Sequence, residues 1–384
     1  MHIAPFAVEQ WMNEWETRVS LNLAETCIHS LTVGEMLALA GAPDAMDEVR
    51  ELWLGYGEIP GSLRLRTAIA ALHARQSPAN VMVAHGTIGA NHLVYQALVG
   101  VGDRVVSVVP SYQQHTSIPE SLGADLVRVE LDEASGWRLD MERLAEAVTP
   151  GTRLVALTNP NNPTGALLPA EELRAVVEIA RVAGAWLLCD EVYRGLAPDS
   201  TPSVADLYEK GISTSGMSKA FALAGLRVGW IVAPEEVLRR VEIHRDYTTI
   251  SVGRIDDLLA AVALEAAPAI LGHGRDLLAA NVARVAEWVA ATPGWSWTAP
   301  AAGTTALLRY DLPLSSARLC ERLATEASVL FTPGSAFGVE GTVRIGCGCA
   351  GDVLQAGLAR VAEWSRTACE DSSTPVEPAH GERV

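Results

Sequence analysis

Lysine is scarce in this chain, and one of its lysines lies in a setting that suits covalent chemistry. The 384 residues include only two lysines, Lys210 and Lys219, against 27 arginines. Lys219 lies among small residues, and Arg227 follows eight positions later. A lysine amine can lose its proton and bond to an aldehyde, which arginine cannot do at any accessible pH. The pairing suits an aldehyde cofactor that carries a phosphate, although taken alone it also fits a surface lysine.

Polar side chains follow three of the strands that the sequence predicts. Short apolar runs, typical of parallel strands buried on both faces, occupy residues 104–109, 153–157 and 185–189. Tyr112 follows the first run and Asn162 the second. The third run is followed by Asp190 and Tyr193. Because ligands of such a sheet bind beyond the carboxyl ends of its strands, we expect these side chains to share one site.

A glycine-containing segment, residues 86–91, opens a predicted helix. The first backbone N–H groups of a helix have no intrahelical acceptor and lie at the positive end of its dipole, so they suit a phosphate. Gly89, Ala90 and Asn91 are therefore candidate cofactor ligands, and Arg227 would add a fixed cation.

Composition and charge exclude several classes of function. The net charge of −17 and the lack of a basic cluster argue against a nucleic-acid-binding surface. No uninterrupted apolar run reaches the ~18 residues of a membrane span, and the N-terminus does not resemble a signal peptide. The six cysteines are scattered, and Cys347-Gly348-Cys349 fits a strand edge better than a metal site. We therefore expect a cytoplasmic, reduced protein without a metal.

The order of the predicted elements indicates an α/β protein with a second, smaller domain. Strand and helix patterns alternate up to about residue 280, which predicts a large, doubly wound, mostly parallel sheet. A long helix (about 277–292), two strand candidates and a final helix (352–362) then predict a small α+β domain. The expected units are an N-terminal segment that joins the small domain (1–45), a large domain (46–280), a C-terminal small domain (281–368) and a disordered polar tail (369–384).

In their order and spacing, these motifs resemble the class I/II aminotransferase superfamily of pyridoxal-phosphate enzymes, which has the fold type I architecture. The resemblance covers roughly residues 20–365. It implies that pyridoxal 5'-phosphate is attached to Lys219, which also serves as general base and acid. It implies too that Asp190 keeps the pyridine nitrogen protonated, so that the ring can accept electrons.

The same resemblance implies roles for other candidate residues. Tyr193 and Asn162 would hydrogen-bond the phenolic oxygen of the cofactor, and Tyr112 would stack on its ring. Arg344, together with Asn162, would bind the substrate, because it matches the arginine that clamps the substrate carboxylate. Tyr56 matches the tyrosine that reaches the phosphate of the neighbouring subunit, so a homodimer with shared active sites is implied.

Two departures from the family pattern concern the phosphate and the room for substrate. Gly216 stands where a serine or threonine usually contacts the phosphate, so Ser215 or Ser218 could supply the hydroxyl instead. Residues 300–306 carry small hydroxyl side chains in place of a bulky one, which indicates a roomier and more polar site.

A third departure lies in the N-terminal substrate loop, residues 23–30, which is usually rich in glycine. Here the loop contains Glu25 and Thr26 as candidate substrate ligands. Glu25 could pair with a guanidinium or ammonium group of the substrate, or it could be a solvated loop glutamate. His29 and His115 are interpreted as structural or solvent-exposed.

These departures, with residues 9–11 and 54–61, are most similar to one branch of the superfamily, capreomycidine synthase and related enzymes of streptothricin-type antibiotic biosynthesis. The similarity implies a hydroxylated arginine as the substrate. Lys219 would remove the Cα proton, the β-hydroxyl would leave as water, and a guanidino nitrogen would add to the β-carbon. Return of a proton to Cα would release a cyclic arginine derivative.

Two alternatives stay open at this point. A true aminotransferase uses the same catalytic residues, and the sequence discriminates poorly between the two reactions. A transcriptional regulator with an aminotransferase-like sensor would need a DNA-binding segment ahead of the domain, and residues 1–20 are too short and not basic.

Overall fold

The computed structural model describes residues 2–197 and 201–373. The strands β1 to β14 are Leu21–Asn22, Val81–His85, Arg104–Val109, Asp125–Asp132, Arg138–Leu139, Thr152–Thr158, Trp186–Asp190, Gly211–Gly216, Val228–Val232, Trp295–Trp297, Thr305–Tyr310, Val329–Leu330, Thr332–Pro333 and Thr342–Gly346. The helices α1 to α14 are Ala7–Trp15, Val33–Ala40, Ala45–Glu51, Leu63–Ala70, Gly86–Leu98, Gln114–Ser121, Met141–Ala147, Ala170–Ala183, Val204–Leu207, Glu235–Asp246, Arg254–Glu265, Ala267–Ala291, Ser316–Arg322 and Gly351–Ser373.

A large sheet lies at the centre of the molecule, with the strand order β2-β9-β8-β7-β6-β3-β4-β5. The strands β4, β3, β6, β7 and β8 pair in parallel. β9 is antiparallel to β2 and β8, and β5 is antiparallel to β4. The prediction of an α/β fold with a mostly parallel, doubly wound sheet is confirmed.

The central strands are apolar throughout because helices cover both faces of the sheet. In β6, Leu154 and Ala156 pack with side chains of α5 and α10, whereas Val155 and Leu157 pack with side chains of α7 and α8. Strands buried on both faces therefore appear in the sequence as continuous apolar runs.

The polar residues of the sheet are concentrated at its carboxyl edge. Thr158, Asp190 and Thr214 are paired neighbours near the ends of β6, β7 and β8. This register places the functional groups of three strands side by side, as expected for a ligand site in a parallel sheet.

A second, four-stranded antiparallel sheet has the order β10-β11-β14-β13 and packs beside α12 and α14. The N-terminal segment reaches this part of the molecule, since β1 pairs in parallel with β12 and α1 contacts β13. Farther along the segment, α2 packs against α11 and α12. The predicted domain boundary after residue 280 falls inside α12.

The last helix is longer than the sequence suggested. Trp364 is buried and donates a hydrogen bond to Glu326, which anchors α14 beyond residue 362. The helical backbone continues to Ser373, so residues 369–373 extend the helix instead of beginning the proposed tail. Residues 374–384, the rest of that proposed tail, lie outside the described residues. Within the described residues, no helix combines the length and apolarity needed to cross a membrane.

Candidate active site

A cavity of about 320 Å³ at the carboxyl edge of the large sheet brings together most of the predicted site residues. Its walls come from the large sheet, the small sheet and the N-terminal segment. The sequence-predicted residues that line it are Glu25, Thr26, Asn91, Tyr112, Asn162, Asp190, Tyr193, Ser218, Lys219, Arg227 and Arg344.

The amine of Lys219 lies against the N-terminal loop. It donates a hydrogen bond of 2.7 Å to Thr26 Oγ1, and Cys27 Sγ is 3.4 Å away. Glu25 Oε1 lies 3.8 Å from Lys219 Nζ. Burial lowers the pKa of Lys219, but Cys27, Tyr193 and Glu25 outweigh burial and hold the pKa above the ordinary lysine value. The chain by itself therefore keeps this amine as a cation at neutral pH, so the amine must lose a proton before it can attack an aldehyde.

Glu25 is held in place by its own loop. Its Oε1 accepts hydrogen bonds from the backbone N–H groups of Thr26 and Cys27, at 2.7 and 2.9 Å. Burial alone would raise the pKa of Glu25, but the charge of Lys219 and these hydrogen bonds lower it to about 2. The site therefore contains a carboxylate that stays ionised at every physiological pH.

Two hydrogen bonds fix the carboxylate of Asp190, and a third orients one of the donors. Asn91 Nδ2 donates to Asp190 Oδ2 at 2.8 Å, and the Val192 N–H donates to Oδ1 at 3.1 Å. Thr214 Oγ1 donates to Asn91 Oδ1 at 2.6 Å, which sets the orientation of the Asn91 amide. The side chain of Asn91, predicted as a cofactor ligand, thus reaches the cavity as a support for Asp190.

His115 is completely buried behind this carboxylate, in agreement with its interpretation as structural. Its Nδ1 lies 2.9 Å from the Tyr95 hydroxyl, and its Nε2 lies 3.8 Å from Asp190 Oδ2.

The first turn of α5 (residues 86–88) and the Arg227 side chain form a cradle for an anion. The sequence analysis placed the anion ligands three residues later, at residues 89–91. The helix begins at Gly86, whose N–H donates to the Arg227 carbonyl at 2.8 Å, and Thr87 and Ile88 line the cavity. Gly86 has φ +64°, and a Cβ there would lie 3.0 Å from the Arg227 guanidinium. The cradle thus combines the first turn of a helix with an arginine side chain.

Gly89 and Ala90 do not line this cradle. Gly89 lies one turn into α5, beyond the free N–H groups at the start of the helix. Ala90 is fully buried, and its side chain packs into the hydrophobic core.

A threonine hydroxyl occupies the space that a side chain at position 216 would need. A Cβ on Gly216 would lie 2.7 Å from Thr87 Oγ1 and 2.9 Å from the Val228 carbonyl. Thr87 Oγ1 is buried and has no hydrogen-bond partner within the described part of the chain. Ser215 instead donates to the Glu191 carbonyl, whereas Ser218 lines the cavity. The hydroxyl of Thr87, on α5, therefore lies where a serine or threonine at position 216 would place its own side chain. The sequence analysis did not identify Thr87.

Arg344 is buried with spare donor capacity. Its side chain donates to Asn162 Oδ1 at 3.2 Å, to Thr332 Oγ1 at 3.1 Å and to the Ala24 carbonyl at 3.0 Å. Its Nε has no partner, and the ion pairs found among the described residues do not include it. Burial lowers the pKa of Arg344 below the usual arginine value. A carboxylate ligand would supply the missing counter-charge.

Helix α1 contributes a wall that the sequence analysis missed. Val8 and Met12 are buried on one helix face, and Glu9 and Glu16 line the cavity beside them. Glu9 Oε1 accepts a 2.5 Å hydrogen bond from the Tyr112 hydroxyl. The spacing of Val8 and Met12 by four residues is the signal that could have predicted an amphipathic helix here.

Tyr56 does not line the cavity of its own chain. Its side chain is 78% exposed, and Trp53 and Leu54 nearby are each 73% exposed. Within the described residues, no cluster of three or more His, Cys, Asp or Glu side chains is arranged to hold a metal ion.

The family model for class I and II aminotransferases matches residues 28–361. The chain belongs to this family. Capreomycidine synthase from Streptomyces vinaceus is 33% identical over 361 residues, which cover 93% of this chain and 92% of that protein.

Solved structures agree with this assignment. A PLP-dependent aminotransferase from Streptococcus suis 89-1591 superposes with a TM-score of 0.93 at 35% identity, covering 96% of this chain and 99% of that one. The PLP-dependent cyclase OrfR superposes with a TM-score of 0.89 at 28% identity, covering 96% and 98%. The chain is therefore a pyridoxal-phosphate-dependent enzyme.

The residues of the cavity fit this cofactor. The unpartnered hydroxyl of Thr87 and the guanidinium of Arg227 lie at the helix start, where a phosphate needs donors. Asp190 offers a fixed carboxylate for a protonated ring nitrogen, and Lys219 offers the amine for an aldehyde. All four of these residues line one cavity.

Proposed function

We propose that this enzyme removes water from a β-hydroxylated arginine and closes a ring by intramolecular addition of the guanidino group. The observation that carries the proposal is that one cavity holds three carboxylates and a buried arginine that has no direct ion pair among the described residues. Arg344 lies in the same cavity as Glu9, Glu16 and Glu25. Such a cavity is complementary to an amino acid with a carboxylate and a cationic side chain.

Arg344 supports binding of the substrate carboxylate. Its guanidinium is only 3% exposed, and Asn162 and Thr332 hold two of its N–H groups. A buried charge without a partner is unfavourable, so a carboxylate at this point would gain both a charge-assisted hydrogen bond and the relief of that penalty.

The carboxylates support recognition of a guanidinium. Glu25 stays ionised because its pKa lies at about 2. Glu9 bonds the Tyr112 hydroxyl through one oxygen, which leaves the other for a ligand. One relative is by its name a synthase of capreomycidine, and the structural relative OrfR is described as a PLP-dependent cyclase.

Pyridoxal phosphate, when bound to Lys219 and Asp190, would supply an electron sink for the electrons of the broken Cα–H bond. The chain supplies the other steps. Lys219 would take the Cα proton and pass it to the β-hydroxyl, which leaves as water when the β C–O bond breaks. A guanidino nitrogen would then bond to the β-carbon and give its proton to Lys219, which returns that proton to Cα. The carboxylates of Glu9, Glu16 and Glu25 would hold the guanidinium folded toward the β-carbon, so that the ring-closing nitrogen is already near its target.

We also propose that the enzyme is a homodimer in which Tyr56 completes the phosphate site of the partner. The exposure of Tyr56, Trp53 and Leu54 supports this, because a cluster of large exposed apolar side chains is typical of an interface.

A true aminotransferase is the second candidate, favoured by the similarity to the Streptococcus suis aminotransferase. Incubation with 3-hydroxyarginine separates the two reactions by mass analysis of the products. The cyclase predicts loss of one water without a 2-oxo acid. Formation of a 2-oxo acid and of pyridoxamine phosphate would support transamination instead. Arginine without the hydroxyl is the control, because it has no leaving group for the cyclase.

A further inference from the structure

We propose that Thr26 is a positioning residue that holds the amine of Lys219 whenever this amine is not covalently engaged. The inference deepens the proposed function and rests on the role of Lys219 in proton transfer.

The threonine hydroxyl is the nearest acceptor of the lysine. Lys219 Nζ lies 2.7 Å from Thr26 Oγ1, compared with 3.4 Å to Cys27 Sγ and 3.8 Å to Glu25 Oε1. The residue Thr26 is only 6% exposed, so water competes poorly for this hydroxyl. A charge-assisted bond of this length restricts a flexible side chain to one position.

The loop that carries Thr26 is itself fixed on two sides. Thr304 Oγ1 donates to the Thr26 carbonyl at 2.6 Å, and the Ile28 N–H donates to the Lys219 carbonyl at 3.3 Å. A Cβ on Gly346 would lie only 1.7 Å from the Glu25 carbonyl, so strand β14 and the loop are in direct backbone contact. A rigid support of this kind is what a positioned catalytic group requires.

This geometry gives Thr26 a different role from the one suggested by the sequence. A hydroxyl engaged by Lys219 acts on the proton-transfer step and not on substrate affinity. Removal of the hydroxyl should therefore lower kcat and leave KM nearly unchanged, whereas a substrate ligand would raise KM.

Because the chain contains only two lysines, the reactivity of Lys219 can be measured relative to a single other lysine. We would label the full-length protein, freed of cofactor, with trace acetic anhydride and measure by mass spectrometry the reactivity of Lys219 relative to Lys210. Thr26→Val removes the hydroxyl with little change in shape, and Thr26→Ser keeps it. Lys210, which bonds the Gly184 carbonyl, is the internal reference.

Loss of an acceptor destabilises the ammonium form, so Thr26→Val should raise the relative reactivity of Lys219 by about three- to tenfold at pH 8, up to about one unit of pKa. Thr26→Ser should match the unmodified enzyme, and Thr26→Ala serves in place of valine if that variant does not fold. Unchanged labelling in Thr26→Val, or a serine variant that behaves like valine, would overturn the proposal.

With the cofactor bound, Thr26→Val should lower kcat about tenfold, with KM changed by less than twofold. A raised KM with unchanged kcat would instead assign Thr26 to the substrate and contradict the proposal. The labelling result does not depend on which reaction the enzyme catalyses, so a transaminase outcome would leave it standing.

Discussion

At the scale of single residues, Glu25 and Lys219 each favour the charged form of the other across 3.8 Å. Burial acts against both charged forms, yet the charge of Lys219 and local hydrogen bonds lower the pKa of Glu25 to about 2, and Cys27, Tyr193 and Glu25 together raise the pKa of Lys219. The side chain of Glu25 is more exposed than that of Lys219, and Glu25 lines the cavity. The pair therefore offers a permanent negative charge to a substrate.

We expect Glu25→Gln to lower kcat/KM for a guanidino substrate at least about tenfold more than for a neutral urea analogue. The folded pKa lies below the ordinary value of 4.5, so the carboxylate is ionised above that pH and is lost only as the pH falls toward about 2. The preference for the cationic substrate should thus be constant from pH 8 to pH 5 in the unmodified enzyme. Glu14→Gln, on the solvent side of α1, is the control, and equal effects of Glu25→Gln on both substrates would retire the recognition hypothesis.

Thr87 provides a second prediction at this scale. Because its buried hydroxyl has no partner at the helix start, Thr87→Val should weaken pyridoxal phosphate binding by about tenfold, the value of one hydrogen bond to a charged group. Thr87→Ser should bind normally, and the exposed Thr325→Val is a control for stability. Cofactor affinity measured by absorbance titration would decide, and an unchanged Kd in Thr87→Val would remove this residue from the phosphate site.

The sequence predicted Lys219, Asp190 and Arg344 in one cavity because each belongs to a motif with family spacing. Thr87 was not predicted because its role depends on the absence of a side chain at Gly216, and such compensation is visible only in three dimensions.

At the scale of elements, the N-terminal loop and strand β14 are packed so closely that only glycine fits. The Glu25 carbonyl would meet a Cβ on Gly346 at 1.7 Å, and the Cys27 carbonyl would meet one on Gly348 at 2.2 Å. The loop therefore takes its position from the backbone of the small sheet.

We expect Gly346→Ala to destabilise the enzyme by about 3 kcal/mol, because the contact is with backbone that cannot move away as a side chain can. Gly34→Ala, in α2 with open space around it, should be neutral or stabilising by up to about 1 kcal/mol. Urea denaturation of both variants provides the comparison. Equal stability of the two variants would show that the loop is not held in this way.

The strands of the large sheet were predictable from the sequence, whereas helix α1 and the start of helix α12 were not. Strand β3 has the predicted bounds, because a strand buried on both faces is apolar at every position. Helix α12 begins at Ala267, ten residues before the predicted start at Leu277, since Gly272 and Gly274 obscure its helical pattern. Helix α1 is short, and tertiary contacts with the small sheet stabilise it.

At the scale of the whole molecule, the proposed dimer makes each site depend on two chains. A Lys219→Ala protomer lacks the amine, and a Tyr56→Phe protomer lacks the hydroxyl proposed to serve its partner. In a mixed dimer, one site has both defects and the other has neither. Co-expression of the two variants should therefore restore more activity than either variant alone.

Light scattering should find a dimer, and the exposed Tyr247→Phe, combined with Lys219→Ala in the same way, is the control. Activity of the Tyr56/Lys219 mixture that only equals the average of its parents would contradict the shared site.

The covalent link between pyridoxal phosphate and Lys219 underlies all of the proposed chemistry, and borohydride reduction of the holoenzyme tests it directly. Mass spectrometry of the digested protein should find the reduced cofactor on the peptide that contains Lys219. The peptide with Lys210 should be unlabelled. A label on Lys210, or no label on either lysine in a protein that retains activity, would contradict the account.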